Sequence, residues 1–167
     1  MKHITTPISR DAARDFHVGD KISLSGKIYC GRDAVLPKIC KLIETGELEK
    51  YGINLEGSVI FHTAVSPAGV GPTSSNKLEI EQSFAPLSKA GVKMHLGKGK
   101  ISDQTIKILD EENAVYAVIP PVTALLGDNT RNQKIIAFPE LGMEAFYELT
   151  VEDYPVIIAA AHNESVY

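Results

Sequence analysis

Short runs rich in β-branched and apolar residues alternate along the chain with stretches whose apolar residues recur at helical spacing. This alternation commits the chain to a mixed α/β domain with at least some parallel strands. Strands are expected at Lys21–Tyr29, Ser58–Val65, Val92–Leu96, Ala114–Ile119, Lys134–Phe138 and Pro155–Ala161. Between the first two, Leu36, Ile39, Cys40 and Ile43 fall at i, i+3, i+4 and i+7, one stripe of an amphipathic helix that Gly46 terminates. Ile80, Phe84 and Leu87 mark a second helix, and Ser102 as N-cap with Asp103 in the first turn marks a third. A fourth is expected to follow Pro139 through Met143 and Phe146. The front end is richer in strand, with a short strand at Ile4–Ile8, a short helix at Ser9–Phe16 and a turn at Val18–Lys21. No Pro/Gly/Ser linker separates it, and 167 residues suit one buried core, so residues 1–167 are expected to form one domain.

Seventeen Lys and Arg against 21 Asp and Glu give a formal charge of −4, too little positive field to hold a polyanion, so nucleic acid is not an expected partner. The N-terminal residues lack the apolar stretch of a secretory signal, and no run approaches the roughly 18 apolar residues of a membrane span. A cytoplasmic protein without a membrane partner is the expectation. Cys30 and Cys40, ten positions apart with no CxxC and no His-rich tract beside them, signal neither a zinc site nor a disulfide framework.

In an open α/β sheet, ligands bind beyond the carboxyl ends of the strands. Three such junctions carry candidate chemistry. At Tyr29-Cys30-Gly31-Arg32-Asp33, Arg32 could grip a carboxylate through two parallel N–H bonds, or simply pair with Asp33 or another surface acid. The segment Ser66–Lys77 is a Gly/Pro-rich loop turning into hydroxyls, an amide and a cation. It suits an anion through backbone N–H groups, and equally a helix cap by Ser74 or Ser75. In Leu96-Gly97-Lys98-Gly99-Lys100, Lys98 sits on a tight turn that suits a carboxylate or phosphate, or plain solvent. Converging at one edge, Arg32, Lys77 and Lys98 with the Thr73 and Ser74 hydroxyls would make a pocket for a dicarboxylate. His62 and His95, in or beside apolar strands, read as packed, hydrogen-bonded histidines. Cys30 reads as a spectator or a mildly activated thiol, with no base nearby for nucleophilic catalysis.

Gly31-Arg32-Asp33-Ala34, Gly71-Pro72-Thr73-Ser74, Gly97-Lys98-Gly99-Lys100 and the tail Val151-Glu152-Asp153-Tyr154-Pro155-Val156 stand in an order and spacing that covers nearly the whole chain. With them the chain resembles the β subunit, or C-terminal domain, of class I iron–sulfur fumarases and L(+)-tartrate dehydratases. The resemblance implies a swivelling β/β/α fold, with a mixed sheet and flanking helices. It also implies a hydro-lyase that interconverts fumarate and L-malate, with L-tartrate as the alternative substrate. A non-catalytic anion-binding or regulatory module of the same fold is the reading from another class.

By the same resemblance the active site is shared with an α subunit that holds a [4Fe–4S] cluster, in an α2β2 assembly. This chain alone binds no metal and is inactive. Arg32, Lys98 and Lys77 would clamp the dicarboxylate, with Thr73 at the proton-transfer position and Ser74 beside it. A threonine hydroxyl is too weak a base near neutral pH to act alone, so an acidic residue of the α subunit is expected to share that role. Two departures from the family pattern bear on substrate preference. Lys77 stands where Arg is usual, a point charge in place of a fork, and Val35-Leu36-Pro37-Lys38 replaces the usual Ala-His-Lys.

Overall fold

The computed structural model describes residues 2–63, 65–66, 69–70, 77–97, 100–119 and 129–165, with only the backbone for 65–66, 69–70 and 77–80. In chain order it comprises β1 (Lys2–Thr5), α1 (Arg10–Arg14), β2 (Lys21–Cys30), α2 (Leu36–Thr45), β3 (Val59–Phe61), β4 (Val65–Ser66), β5 (Gly69–Val70), α3 (Lys77–Lys89), β6 (Met94–Gly97), α4 (Asp103–Glu111), β7 (Val115–Val118), β8 (Thr130–Ala137), β9 (Phe146–Ala161) and β10 (Glu164–Ser165). A 3-10 turn lies at Leu48–Tyr51, and the 3-10 structure at Pro139–Glu144 is broken by a kink at Gly142 (φ 61°, ψ −121°). The expected mixed sheet with flanking helices is what the chain forms. No helix among the described residues is long and apolar enough to cross a membrane.

Strands β1, β2, β3, β6 and β7 run parallel in that order, each joined to the next by a helix-bearing connection. The antiparallel strand β9 then pairs with β7 on one side and β2 on the other, which closes β2, β3, β6, β7 and β9 into a ring. One strand can do both because it bends midway. Its first half, through Val151, lies between β2 and β8, while its second half, from Tyr154, lies between β2 and β7. Asp153 at the bend has φ of 53° and donates its N–H to Ser25 Oγ, and its carboxylate accepts from Ser23 Oγ at 2.9 Å. Pro155, which has no N–H to give a ladder, follows this irregularity.

Alternation along each strand sorts the side chains. Val59, Phe61, Met94, Leu96, Val115 and Ala117 belong to one cluster within the ring, together with Leu24, Leu149 and Ile158. Ile60 and Tyr116 face outward under the helices: Leu36, Ile39 and Leu42 of α2 cover one side, and Phe84, Ile106 and Leu109 cover the other. The helix signals read from the sequence hold. Gly46 ends α2 in the left-handed conformation (φ 71°), and Ser102 accepts the Thr105 N–H at the start of α4. Ser9 caps α1 in the same way.

Several expectations change. The helix after Pro139 is a 3-10 turn that stops at Glu144, because Phe146 opens β9 instead. The strand read as Pro155–Ala161 begins nine residues earlier, and that read as Lys134–Phe138 begins at Thr130. Ser58–Val65 is a strand only over Val59–Phe61, with Val65 in the separate β4–β5 pair.

Leu149 pairs with Ile28 across β2 and with Gln133 across β8, and is fully buried. Leu149→Ala should therefore cost about 2–5 kcal/mol in urea unfolding, whereas a loss below about 1 kcal/mol would mean that this strand does not close the core.

Candidate functional site

The parallel strands end in line. Cys30 of β2 is level with Phe61 of β3, Phe61 with Leu96 of β6, and Leu96 with Ala117 of β7. The residues that follow, Gly31-Arg32 and His62-Thr63, therefore leave one carboxyl edge side by side. Gly97 ends β6 at the same edge, and Lys98, next in sequence, lies outside the described residues, as do Thr73 and Ser74. Because α3 connects parallel β3 to β6, its first residue Lys77 is on this edge too, with only its backbone described. Of the five residues singled out from the sequence, Arg32 is thus the one whose side chain can be followed here.

Arg32 leaves β2 through Gly31, where a Cβ would come within 2.7 Å of a Val35 methyl and 3.2 Å of the Phe146 ring, so a larger residue would force these side chains to shift. The Arg32 carbonyl accepts the N–H groups of Val35 and Leu36, so a turn separates Arg32 from α2, which starts four residues later. The guanidinium meets both oxygens of Glu144: Nη2 to Oε1 at 2.6 Å and Nε to Oε2 at 3.3 Å, with Asp33 Oδ1 3.4 Å from Nε. Both Arg32 and Glu144 side chains are about one-quarter exposed (23% and 26%), so solvent screens the pair only in part. Of the two readings of Arg32, the structure shows the pairing with Asp33 and a second acid, Glu144, and that pairing uses the two-bond fork that a ligand carboxylate would also take. Sequence reasoning missed Glu144. It lies 112 positions from Arg32, and only the pairing of Cys30 with Tyr147 brings it there.

Cys30, also on this edge, is buried and donates from Sγ to the Thr63 carbonyl at 3.1 Å. Burial pushes its thiol far up, with the Glu144 charge adding to the shift, so of the two readings it is the spectator. Cys40, half-buried on α2, is pushed up to about 11, chiefly by burial.

The two histidines are packed, as expected. Phe84 stacks on His95 with ring centres 4.3 Å apart and lies 4.6 Å from His62. His62 Nε2 and His95 Nδ1 are 2.9 Å apart, and His95 Nε2 is 2.9 Å from Ser88 Oγ on α3. Burial holds both imidazoles neutral. His95 falls to about 3 for that reason, and His62 is lowered by burial first and by the neighbouring His95 second. Among the described residues, buried His62 Nδ1 has no hydrogen-bond partner, which at an ordinary buried polar atom costs about 1–3 kcal/mol.

Comparison with known proteins adds the relatives. The family model described as Fumarase C-terminus matches residues 2–167. A protein of Methanocaldococcus jannaschii, provisionally named an L(+)-tartrate dehydratase subunit beta, is 29% identical over all of this chain and 91% of its own length. The L(+)-tartrate dehydratase subunit beta of Escherichia coli (strain K12) is 30% identical, covering 95% of this chain and 82% of its own. The anaerobic class I fumarate hydratase of the same strain is 31% identical over 95% of this chain, which spans only 29% of that enzyme.

The neutral histidines make stability depend on pH. An unfolded chain protonates an imidazole as pH falls through about 6.5, whereas folded His95 stays neutral down to about 3 and folded His62 is lowered in the same direction. Their contribution is thus full above pH 6.5 and is lost as pH falls from there toward 3, by about 1.4 kcal/mol per pH unit for each group. In urea unfolding between pH 7 and 5, His95→Gln should show a distinctly shallower loss than the wild type. Equal slopes would mean that folded His95 titrates normally.

Proposed function

The chain belongs to the Fumarase C-terminus family, and from that premise we propose that it is the β subunit of a hydro-lyase that reversibly adds water across fumarate to give L-malate. The observation that carries the reading is Arg32, whose guanidinium stands at the carboxyl edge engaged with both oxygens of one carboxylate. A dicarboxylate exchanging with or sharing that fork would be held at the carboxyl edge. Lys98 and Lys77 would supply charge for the second carboxylate, and Ser74 a further hydroxyl. Fixing the substrate in this way is worth more than any single group on this chain, because positioning removes the orientational entropy of the step. Thr73 would sit at the proton-transfer position and needs an acidic group from an α subunit to accept the proton, since its hydroxyl is too weak a base alone.

The residues of this chain do not fit an iron–sulfur cluster. Cys30 is held protonated against the Thr63 carbonyl, and Cys40 is on a helix away from the edge. The [4Fe–4S] cluster would therefore be carried by the α subunit, and this chain alone should be inactive. Two relatives, covered over 91% and 82% of their own length, are β subunits by name, which supports a two-chain enzyme, and α2β2 is the assembly we propose. The same observation favours a second reading, L(+)-tartrate as substrate.

In the complex with its α subunit, Arg32→Lys should lower kcat/KM about tenfold or more by losing the fork, while Lys77→Arg should leave turnover largely intact. Thr73→Ala should cut kcat by about two orders of magnitude or more. Wild-type turnover in Thr73→Ala would remove Thr73 from the mechanism, and a higher kcat/KM for L-tartrate than for L-malate would establish the second reading.

A further inference from the structure

The buried series Ser88, His95, His62 has no part in the reaction proposed above, and its hydrogen-bond arithmetic singles out one atom. Each imidazole is neutral and so carries one N–H and one bare nitrogen, which leaves two polarities for the series. In the first, Ser88 donates to His95 Nε2, His95 donates from Nδ1 to His62 Nε2, and His62 carries its hydrogen on Nδ1. In the second, His62 donates from Nε2 to His95 Nδ1, His95 donates from Nε2 to Ser88 Oγ, and the Ser88 hydroxyl hydrogen needs another acceptor. Among the described residues Ser88 Oγ bonds only to His95. The first polarity therefore leaves one group unmet, the His62 Nδ1–H, where the second leaves two, and the first prevails.

His62 is also in a telling place. It follows β3 directly, its N–H donates to the Leu96 carbonyl at 3.0 Å, and across the sheet Gly31 donates to the Phe61 carbonyl. The residue's backbone is thus fixed on the carboxyl edge, between the strand that delivers Arg32 and the strand that leads to Lys98. Phe84 and His95 hold its plane, so the orientation of Nδ1 is set by packing. A buried donor with no acceptor, at the edge where ligands bind, is accounted for by an acceptor that arrives with the ligand.

We propose that Ser88 and His95 hold His62 in its Nδ1–H tautomer, so that His62 donates a hydrogen bond to a carboxylate oxygen of the bound dicarboxylate. The chemical class of that ligand rests on the function proposed above, whereas the tautomer rests on the structure alone. Ser88 and His95 are then positioning residues that act through His62.

The test has two parts. In the purified chain labelled with 15N-histidine, NMR should show His62 protonated on Nδ1, and Ser88→Ala should shift its tautomer balance although the two residues do not touch; protonation on Nε2 would overturn the proposal. In the complex with the α subunit, succinate as an unreactive dicarboxylate should move the His62 Nδ1 resonance. There His62→Phe should raise KM for the dicarboxylate about tenfold or more, and His62→Asn, whose amide nitrogen stands where Nδ1 does, should recover most of it. No response to succinate, or the same KM in His62→Phe as in wild type, would overturn the proposal. If His62→Phe does not fold, the succinate response and His62→Asn still decide. Failure of the complex to turn over any dicarboxylate would sink the proposed function, and the tautomer measurement on the chain alone would still stand or fall separately.

Discussion

Everything at the candidate site depends on the antiparallel pairing of β9 with β2. A parallel run of β2, β3, β6 and β7 alone would leave two open edges and an exposed apolar face. Sixteen residues of β9 close that gap, reaching β7 with one half and β8 with the other while β2 runs alongside both. Closure buries the interior faces of five strands, and it also determines the chemistry. The start of β9 lies beside the end of β2, so the turn before it delivers Glu144 to Arg32. Stability and ligand geometry thus share one set of backbone hydrogen bonds.

The carboxyl edge that results holds two kinds of polar group. Arg32 is a fixed positive fork, partly open to solvent and matched to a carboxylate. The His62–His95 pair is deeply buried and uncharged, with His95 stacked on Phe84 and His62 tilted against it. Their neutrality follows from burial, which disfavours the charged imidazolium. Cys30, locked to the Thr63 carbonyl, contributes packing and no reactivity.

Much of this was legible in the sequence because the signals were local. The apolar stripe of α2 ending in Gly46, the Ser102 cap and the short parallel strands all follow from periodicity and capping chemistry over a few residues. Arg32 stood out for the same reason, as a guanidinium just past a strand. What escaped was non-local. Strand β9 interrupts its apolar alternation with Glu152, Asp153 and Pro155, which look like a turn and are a bend stabilised by Ser23 and Ser25 of β2. The front of β8 is polar and exposed, so it carried no apolar pattern. Glu144 becomes part of the site only through a strand pairing, and no residue pattern near it announces that. The orphan nitrogen of His62 likewise exists only once Ser88, His95 and Phe84 are assembled around it.

We propose that this edge is half of a dicarboxylate site completed by another chain. The most direct measurement is an anaerobic assay of the chain co-purified with its α subunit, and of the chain alone, following fumarate absorbance with L-malate supplied. The complex should form fumarate and the single chain none. A stable complex with an intact cluster that turns over neither L-malate nor L-tartrate would contradict the proposal.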